Sequence, residues 1–261
     1  MKIRHHDIVE IDLGPLASTV MNRARWRGQD EFPSSQLLAN EIERVLSFAE
    51  VQGQFGLYLG DLTASATQRD SAIAELRVAF YFHRNQFSIA EWRPIGLSSK
   101  EGEFLVRGPS GMDTFIEVKS PGWEGELEEE ERKAGRTKQP KYINAEVRST
   151  APWERIQFAV NKAYKKFSPD IPNLLVIVDD LFWPLRYRPE MHIGQSLYST
   201  YHGGSFTNSV YANLSGVGIF WVEDNSKEIW YEMMLFLNPY AHNPLPCDMQ
   251  EAFRGQALPI V

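Results

Sequence analysis

Glu117 and Lys119 are the residues of this chain most plainly placed for chemistry. They stand two apart in the run Thr114-Phe115-Ile116-Glu117-Val118-Lys119-Ser120, whose alternation is that of a β-strand. Ile116 and Val118 then face one way, and Phe115, Glu117 and Lys119 the other. A carboxylate and an ammonium side by side on a sheet strand are costly to desolvate, so the placement wants a reason. A divalent metal site supplies one, with Glu117 as ligand and Lys119 steering a water or a phosphate oxygen. A partly solvated ion pair is the plainer alternative. Glu-x-Lys alone is cheap: a second copy, Glu131-Arg132-Lys133, lies in a run of charges with no strand around it.

The surroundings sharpen the choice. Glu103-Phe104-Leu105-Val106-Arg107 is another short alternating run, and Gly108-Pro109-Ser110-Gly111 between the two is turn chemistry. Pairing outward from that loop sets Glu103 almost opposite Glu117. Like charges that close repel unless a cation lies between them. Mg²⁺, with Mn²⁺ as its substitute, suits two carboxylates completed by water and substrate phosphate. Asp113 is nearer Glu117 in sequence but falls at the turn, and ranks below Glu103.

A third carboxylate comes from residues 71–82, SAIAELRVAFYF, apolar almost all round and so expected to be a buried helix over about 71–84. Thr67 followed by Asp70 offers it a capping start. Glu75 and Arg77 are two apart and do not face each other on a helix, so Glu75 needs a partner elsewhere. For Glu75 the candidates are the metal cluster or Lys119, the plainer alternative being a side chain that reaches solvent between its neighbours. Downstream, Ile156, Val160, Ala163, Tyr164 and Phe167 make an apolar stripe that predicts a helix over 153–167. Arg155, Lys162, Lys165 and Lys166 lie off the stripe, as a solvated face or one turned to phosphates. Leu174-Leu175-Val176-Ile177-Val178 reads as a central strand buried on both faces.

In order the expected elements are a helix, strands at 87–92, 103–107 and 114–120, a helix, and a strand at 174–178. This αβββαβ order, with Glu on the first helix, an acid opening the second strand and Glu-Val-Lys on the third, resembles the PD-(D/E)XK nuclease superfamily, the restriction-endonuclease-like fold. The likeness covers residues 71 to 178. It implies a metal-dependent hydrolase of phosphodiester bonds in DNA, in which Glu103 and Glu117 hold Mg²⁺, Lys119 orients the attacking water and Glu75 is the helix acid. The strand-two acid of that superfamily is usually Asp, and Glu103 is one methylene longer. Gln157 and Lys165 lie where some members place a supporting polar residue. Arg155, Lys162 and, in the insert, Lys133, Arg136 and Lys138 would contact backbone phosphates. The alternative is a nuclease fold that no longer cuts and serves as a nucleic-acid or protein binding module; a third option is an unrelated α/β protein with a surface ion pair.

Composition bounds these readings. With 261 residues, 43% of them hydrophobic, the chain can bury a substantial core. A net charge of −7 argues against a general nucleic-acid coat but not against a local basic groove. The single cysteine, Cys247, fits a reducing cytoplasm, and no signal peptide or membrane span is read. The expected architecture is α/β: a mixed central sheet flanked by helices, with an N-terminal helical extension (1–66) packed on a nuclease-like domain (67–261) that ends in a strand pair. The extension carries a strand, Ile8 to Leu13, an Arg-rich stretch, and a helix opened by Pro33-Ser34-Ser35. Residues 121–152 form a polar insert, with Glu from 124 to 131 followed by Arg132, Lys133, Arg136, Lys138 and Lys141. Residues 186–215 read as loop, 216–222 and 228–237 as strands, and the proline-rich tail from Asn238 as a surface wrap. Expected partners are DNA, with RNA, a second copy or another protein as further options. No Cys-x-x-Cys, Walker glycine loop, G-x-S-x-G or His-Glu-x-x-His is present.

Overall fold

The computed structural model describes residues 2–5, 9–26, 32–96, 99–120, 152–179, 190–225 and 227–253. The polar insert, with Lys133, Arg136 and Lys138, therefore lies outside the described residues. A short antiparallel ribbon, β1 (Lys2–His5) with β2 (Val9–Asp12), is followed by helices α1 (Pro15–Arg23), α2 (Gln36–Val51), α3 (Phe55–Ala64) and α4 (Ala66–Arg84). Next come β3 (Ser88–Trp92), β4 (Phe104–Arg107), β5 (Asp113–Lys119), α5 (Pro152–Tyr164) and β6 (Asn173–Val178). From α4 to β6 this is the expected αβββαβ order. A π-helical segment, Glu190–Tyr198, and a 3₁₀ turn, Ser209–Tyr211, lead into β7 (Gly216–Asp224), β8 (Ile229–Leu237) and α6 (Cys247–Ala252).

Six strands form one mixed sheet in the order β3-β4-β5-β6-β7-β8. β3, β4 and β5 are an antiparallel meander, β5, β6 and β7 run parallel, and β8 returns antiparallel to β7. A parallel neighbour cannot follow through a tight turn, and α5 supplies the crossover between β5 and β6. Both faces of the sheet are covered. On one, Ile116, Val118, Leu174 and Val176 pack with α1 to α4, including Ile42, Leu76 and Phe82. On the other, Phe115, Leu175, Ile177 and Val217 pack with Ile156, Val160 and Ala163 of α5 and with Ile193 and Leu197. Every residue of β6 is buried, as its unbroken apolar run requires of a strand sealed on both sides.

Several boundaries move. The first core helix starts at Ala66, not Ser71, and its cap is Ser65 rather than Thr67. Ser65 Oγ accepts the Gln68 amide at 3.2 Å and donates to Gln68 Oε1 at 3.0 Å. The first turn, Ala-Thr-Gln-Arg-Asp, is too polar to show the stripe that marks the rest. Ser65 also ends α3, with extended φ −150° and ψ 163°, so one residue breaks one helix and opens the next. Ser65→Ala is expected to lower unfolding stability by about 1 kcal/mol, read by urea denaturation, with Ser65→Asp close to native.

The helices α1 and α3 were not expected. Pro15 opens α1, whose exposed amides are met from α2: Leu16 N and Ala17 N donate to the Glu43 carboxylate at 3.1 and 2.8 Å. The tail is also more than a wrap. Leu245, Met249 and Phe253 are buried, and Phe253 stacks on Phe87 with centroids 5.4 Å apart, so α6 is part of the core. The segment expected to be loop from 186 to 215 holds the π-helical stretch, whose Ile193 and Leu197 are fully buried.

Candidate active site

The β4–β5 hairpin fixes the centre of the site. Its turn has Gly111 at φ +79°, a conformation that favours glycine, and the Ser110 amide is held by Asp248 Oδ2 at 2.8 Å. From that turn Arg107 pairs with Asp113, Val106 with Thr114, Leu105 with Phe115 and Phe104 with Ile116. The Glu103 amide donates to the Ile116 carbonyl at 3.2 Å, so the next step outward sets Glu103 beside Glu117. Asp113 is spent at the turn, where its two carboxylate oxygens take Arg107 at 2.7 and 2.8 Å.

Glu117 is completely buried, at 0% exposure. Its Oε1 is an acceptor for two ammonium groups: Lys119, in close contact, and Lys166 at 2.7 Å. The same two lysines lie 4.0 and 3.6 Å from Glu103 Oε1. Lys119 donates in addition to the Val118 carbonyl at 3.2 Å. The other oxygen, Glu117 Oε2, is buried without a hydrogen-bond partner. A desolvated carboxylate oxygen with nothing to accept is expensive, and it marks where a further cation or donor would be stabilised.

Glu75 reaches the cluster from α4, on the opposite face of the sheet from α5. Its carboxyl meets the Tyr58 hydroxyl of α3 and lies within electrostatic range of Glu103, Lys119 and Glu117. Burial, reinforced by the Glu103 charge, pushes it up to about 8 against the opposing pull of Tyr58 and Lys119. Burial likewise raises Tyr58, helped by the charges of Glu75 and Glu103. Burial and the Glu117 charge lift Glu103, although Lys166 and Lys119 pull it down. For Lys166 burial acts to lower the ammonium, but the hydrogen bond and charge of Glu117 outweigh it and the group is raised.

These shifts fix a sign. A carboxyl raised in the folded state favours folding while the unfolded group is still protonated, and that advantage is lost as pH rises through the folded value. For Glu75 the window runs from its ordinary 4.5 to about 8. Native protein is expected to lose thermal stability relative to Glu75→Gln between those limits. Melting curves that run parallel across the range would show that Glu75 is not held neutral.

The structure thus brings Glu75, Glu103, Glu117 and Lys119 to one end of the sheet. Among the described residues no group of three or more His, Cys, Asp and Glu is gathered closely enough to cage a metal. Glu103 and Glu117 are the carboxylates that face each other, and Glu75 is turned to Tyr58. Of the predicted phosphate contacts, Lys162 is exposed on α5, Arg155 lies on the first turn of that helix, and Lys165 is exposed. Gln157 is tied instead to the His202 carbonyl at 2.9 Å.

Two residues of the cluster were missed in sequence. By its spacing Lys166 belongs to the basic flank, solvated or turned to phosphates, yet it lies beyond Tyr164, where the helix ends, and turns inward there. Its backbone is pinned: Phe167 is fully buried edge-on to Phe115, and a Cβ at Gly96 would sit 1.9 Å from the Lys166 carbonyl oxygen. Tyr58 came from a helix that was not read at all. The adjacent Lys165-Lys166 pair next to a predicted helix end was the available signal for the first.

No family model and no curated protein matches this chain. Among solved structures it is similar to SfsA of Pyrococcus furiosus, solved in complex with Ca²⁺, at 13% identity over 63% of this chain and 60% of that one. This chain spans less than two thirds of that protein, and the TM-score of 0.24 is too low to bear on fold or activity. Among the described residues no helix is long and apolar enough to cross a membrane.

Proposed function

We propose that the protein is a divalent-metal-dependent nuclease of the PD-(D/E)XK kind, hydrolysing phosphodiester bonds in DNA. The observation that carries this reading is the pairing of Glu103 with Glu117 across adjacent strands, beside Lys119, with Glu117 Oε2 buried and unbonded. The order α4-β3-β4-β5-α5-β6 in which these residues occur supports it. The donor set fits Mg²⁺ or Mn²⁺: hard carboxylate oxygens, few in number, leaving positions for water and substrate. Glu103 and Glu117 would hold the ion, which when bound supplies Lewis-acid polarisation of the phosphoryl group.

The chain's own groups do the rest. Lys119, fixed by Glu117 and the Val118 carbonyl, presents an N–H to a water and orients it toward phosphorus. Its charge also offsets the negative charge that develops on the phosphoryl oxygens. Glu75, held neutral near pH 7 by burial, adds no further repulsion to an incoming phosphate. Lys162, exposed on α5, would meet backbone phosphates, which positions a strand without reading its sequence.

One observation favours a second reading, a binding module that does not cut. Lys119 and Lys166 already neutralise Glu103 and Glu117 within the protein. Purified protein incubated with plasmid, linear and single-stranded DNA and with RNA, under Mg²⁺, Mn²⁺ or chelator, separates the two. Cleavage that requires metal and is lost in Lys119→Ala supports the nuclease. Binding of DNA without any cutting supports the module.

A further inference from the structure

The cluster contains one more lysine than the proposed chemistry uses. Lys119 and Lys166 share a single acceptor oxygen, Glu117 Oε1, and both reach toward Glu103 Oε1. Two ammonium groups converging on one oxygen repel each other, so the arrangement is favourable only while two negative carboxylates need balancing. Glu103 and Glu117 with Lys119 and Lys166 sum to zero charge. A divalent cation added to that set leaves it doubly positive in a partly desolvated site, and one of the two lysines has to give way.

Tethering decides which one. Lys119 closes β5, where it is still paired in register with Ile177 of β6, and it holds the Val118 carbonyl as well as Glu117. Among the described residues the contacts of the Lys166 ammonium are the two carboxylates, at 2.7 and 3.6 Å. Its backbone is locked by Phe167 and Gly96, but its side chain is 24% exposed and has a route to solvent. The Lys166 ammonium lies between the two carboxylates, as a bound cation would.

Resting on the two-carboxylate reading of the site, we propose that Lys166 is a built-in counter-ion that stands in for the metal between Glu103 and Glu117 and is displaced when a divalent cation binds. It is a positioning residue: it keeps Glu103 and Glu117 together in the metal-free protein and sets how tightly the ion is taken up.

Direct Mn²⁺ titration at pH 8, with free Mn²⁺ followed by electron paramagnetic resonance and no nucleic acid present, tests this. Native protein is compared with Lys166→Met, Lys166→Gln and, as a control for total charge, Lys227→Met, an exposed position outside the site. Circular dichroism establishes that each is folded, and two Lys166 variants guard against the failure of one. Removing the competing ammonium should tighten Mn²⁺ binding by about tenfold in both Lys166 variants and leave Lys227→Met unchanged. Native protein that binds Mn²⁺ with an affinity the Lys166 variants match or fall below would overturn the counter-ion role while leaving the metal site intact. An equal gain in Lys227→Met would overturn it too, by showing a general charge effect. Absence of Mn²⁺ binding in every form would remove the metal site and this role together.

Discussion

On the proposed nuclease reading, Lys119→Ala is expected to leave a folded protein whose metal-dependent cleavage of DNA is slower by roughly 10³-fold. The fold survives because Glu117, although completely buried, keeps Lys166 at 2.7 Å as its counter-charge. A lone buried carboxylate would be costly, but this one is not left alone. The rate falls because the remaining lysine hangs from a different element, past the end of α5, and cannot present its N–H along the line that β5 fixes. Lys119→Arg should recover little, since the planar guanidinium spreads its donors over a fork instead of one point. Single-turnover cleavage of a labelled duplex at saturating protein, with thermal melting as a fold control, gives the measurement. Cleavage within a factor of about three of native would remove Lys119 from the chemistry.

Arg77→Met is expected to cost about 3–5 kcal/mol of stability. Arg77 meets the Glu41 carboxylate with two parallel bonds, Nε to Oε1 at 2.9 Å and Nη2 to Oε2 at 2.7 Å. Glu41 is 1% exposed, and the Tyr231 hydroxyl from β8 closes on the same carboxylate. Burial works against the Arg77 charge, but Glu41 more than restores it, so the guanidinium stays charged. Methionine keeps most of the volume and strips out the cation, stranding a carboxylate in an apolar layer. The double variant Glu41→Leu with Arg77→Met should regain most of the loss, because both charges leave together. Chemical denaturation of the four proteins completes the cycle. A single variant within about 1 kcal/mol of native would show the network to be of little weight.

What could be read from sequence follows from how local each signal is. The alternation in Asp113–Lys119 and the turn at Gly108–Gly111 were enough to place Glu103 against Glu117, because a hairpin register is set by its own loop. The stripe of α5 and the unbroken apolar run of β6 were legible for the same reason. Lys166 was not, since its direction is decided by the chain leaving the helix at Tyr164 and by Phe167 seating against Phe115. Nor was Tyr58: Phe55–Ala64 holds two glycines and no clean stripe, so α3 carries little periodic signal. Glu41 resembles an ordinary polar position on α2, and nothing nearby announces that its partners are Arg77 on α4 and Tyr231 on β8. The helix arithmetic that separated Glu75 from Arg77 held: one turns to Tyr58, the other to Glu41.

The way α2 and α3 lend single side chains to α4 limits how far the molecule can be pared down. A fragment starting at Ala66 would keep every strand of the large sheet and the entire carboxylate–lysine cluster, and on paper it is the minimal unit. It would also lose Glu41 and Tyr58 at one stroke, taking away the partners of Arg77 and Glu75, two residues apart on one helix. Such a truncation should come out as insoluble material, whatever its catalytic merits, because it also strips α1 to α3 from the apolar face of the sheet they cover.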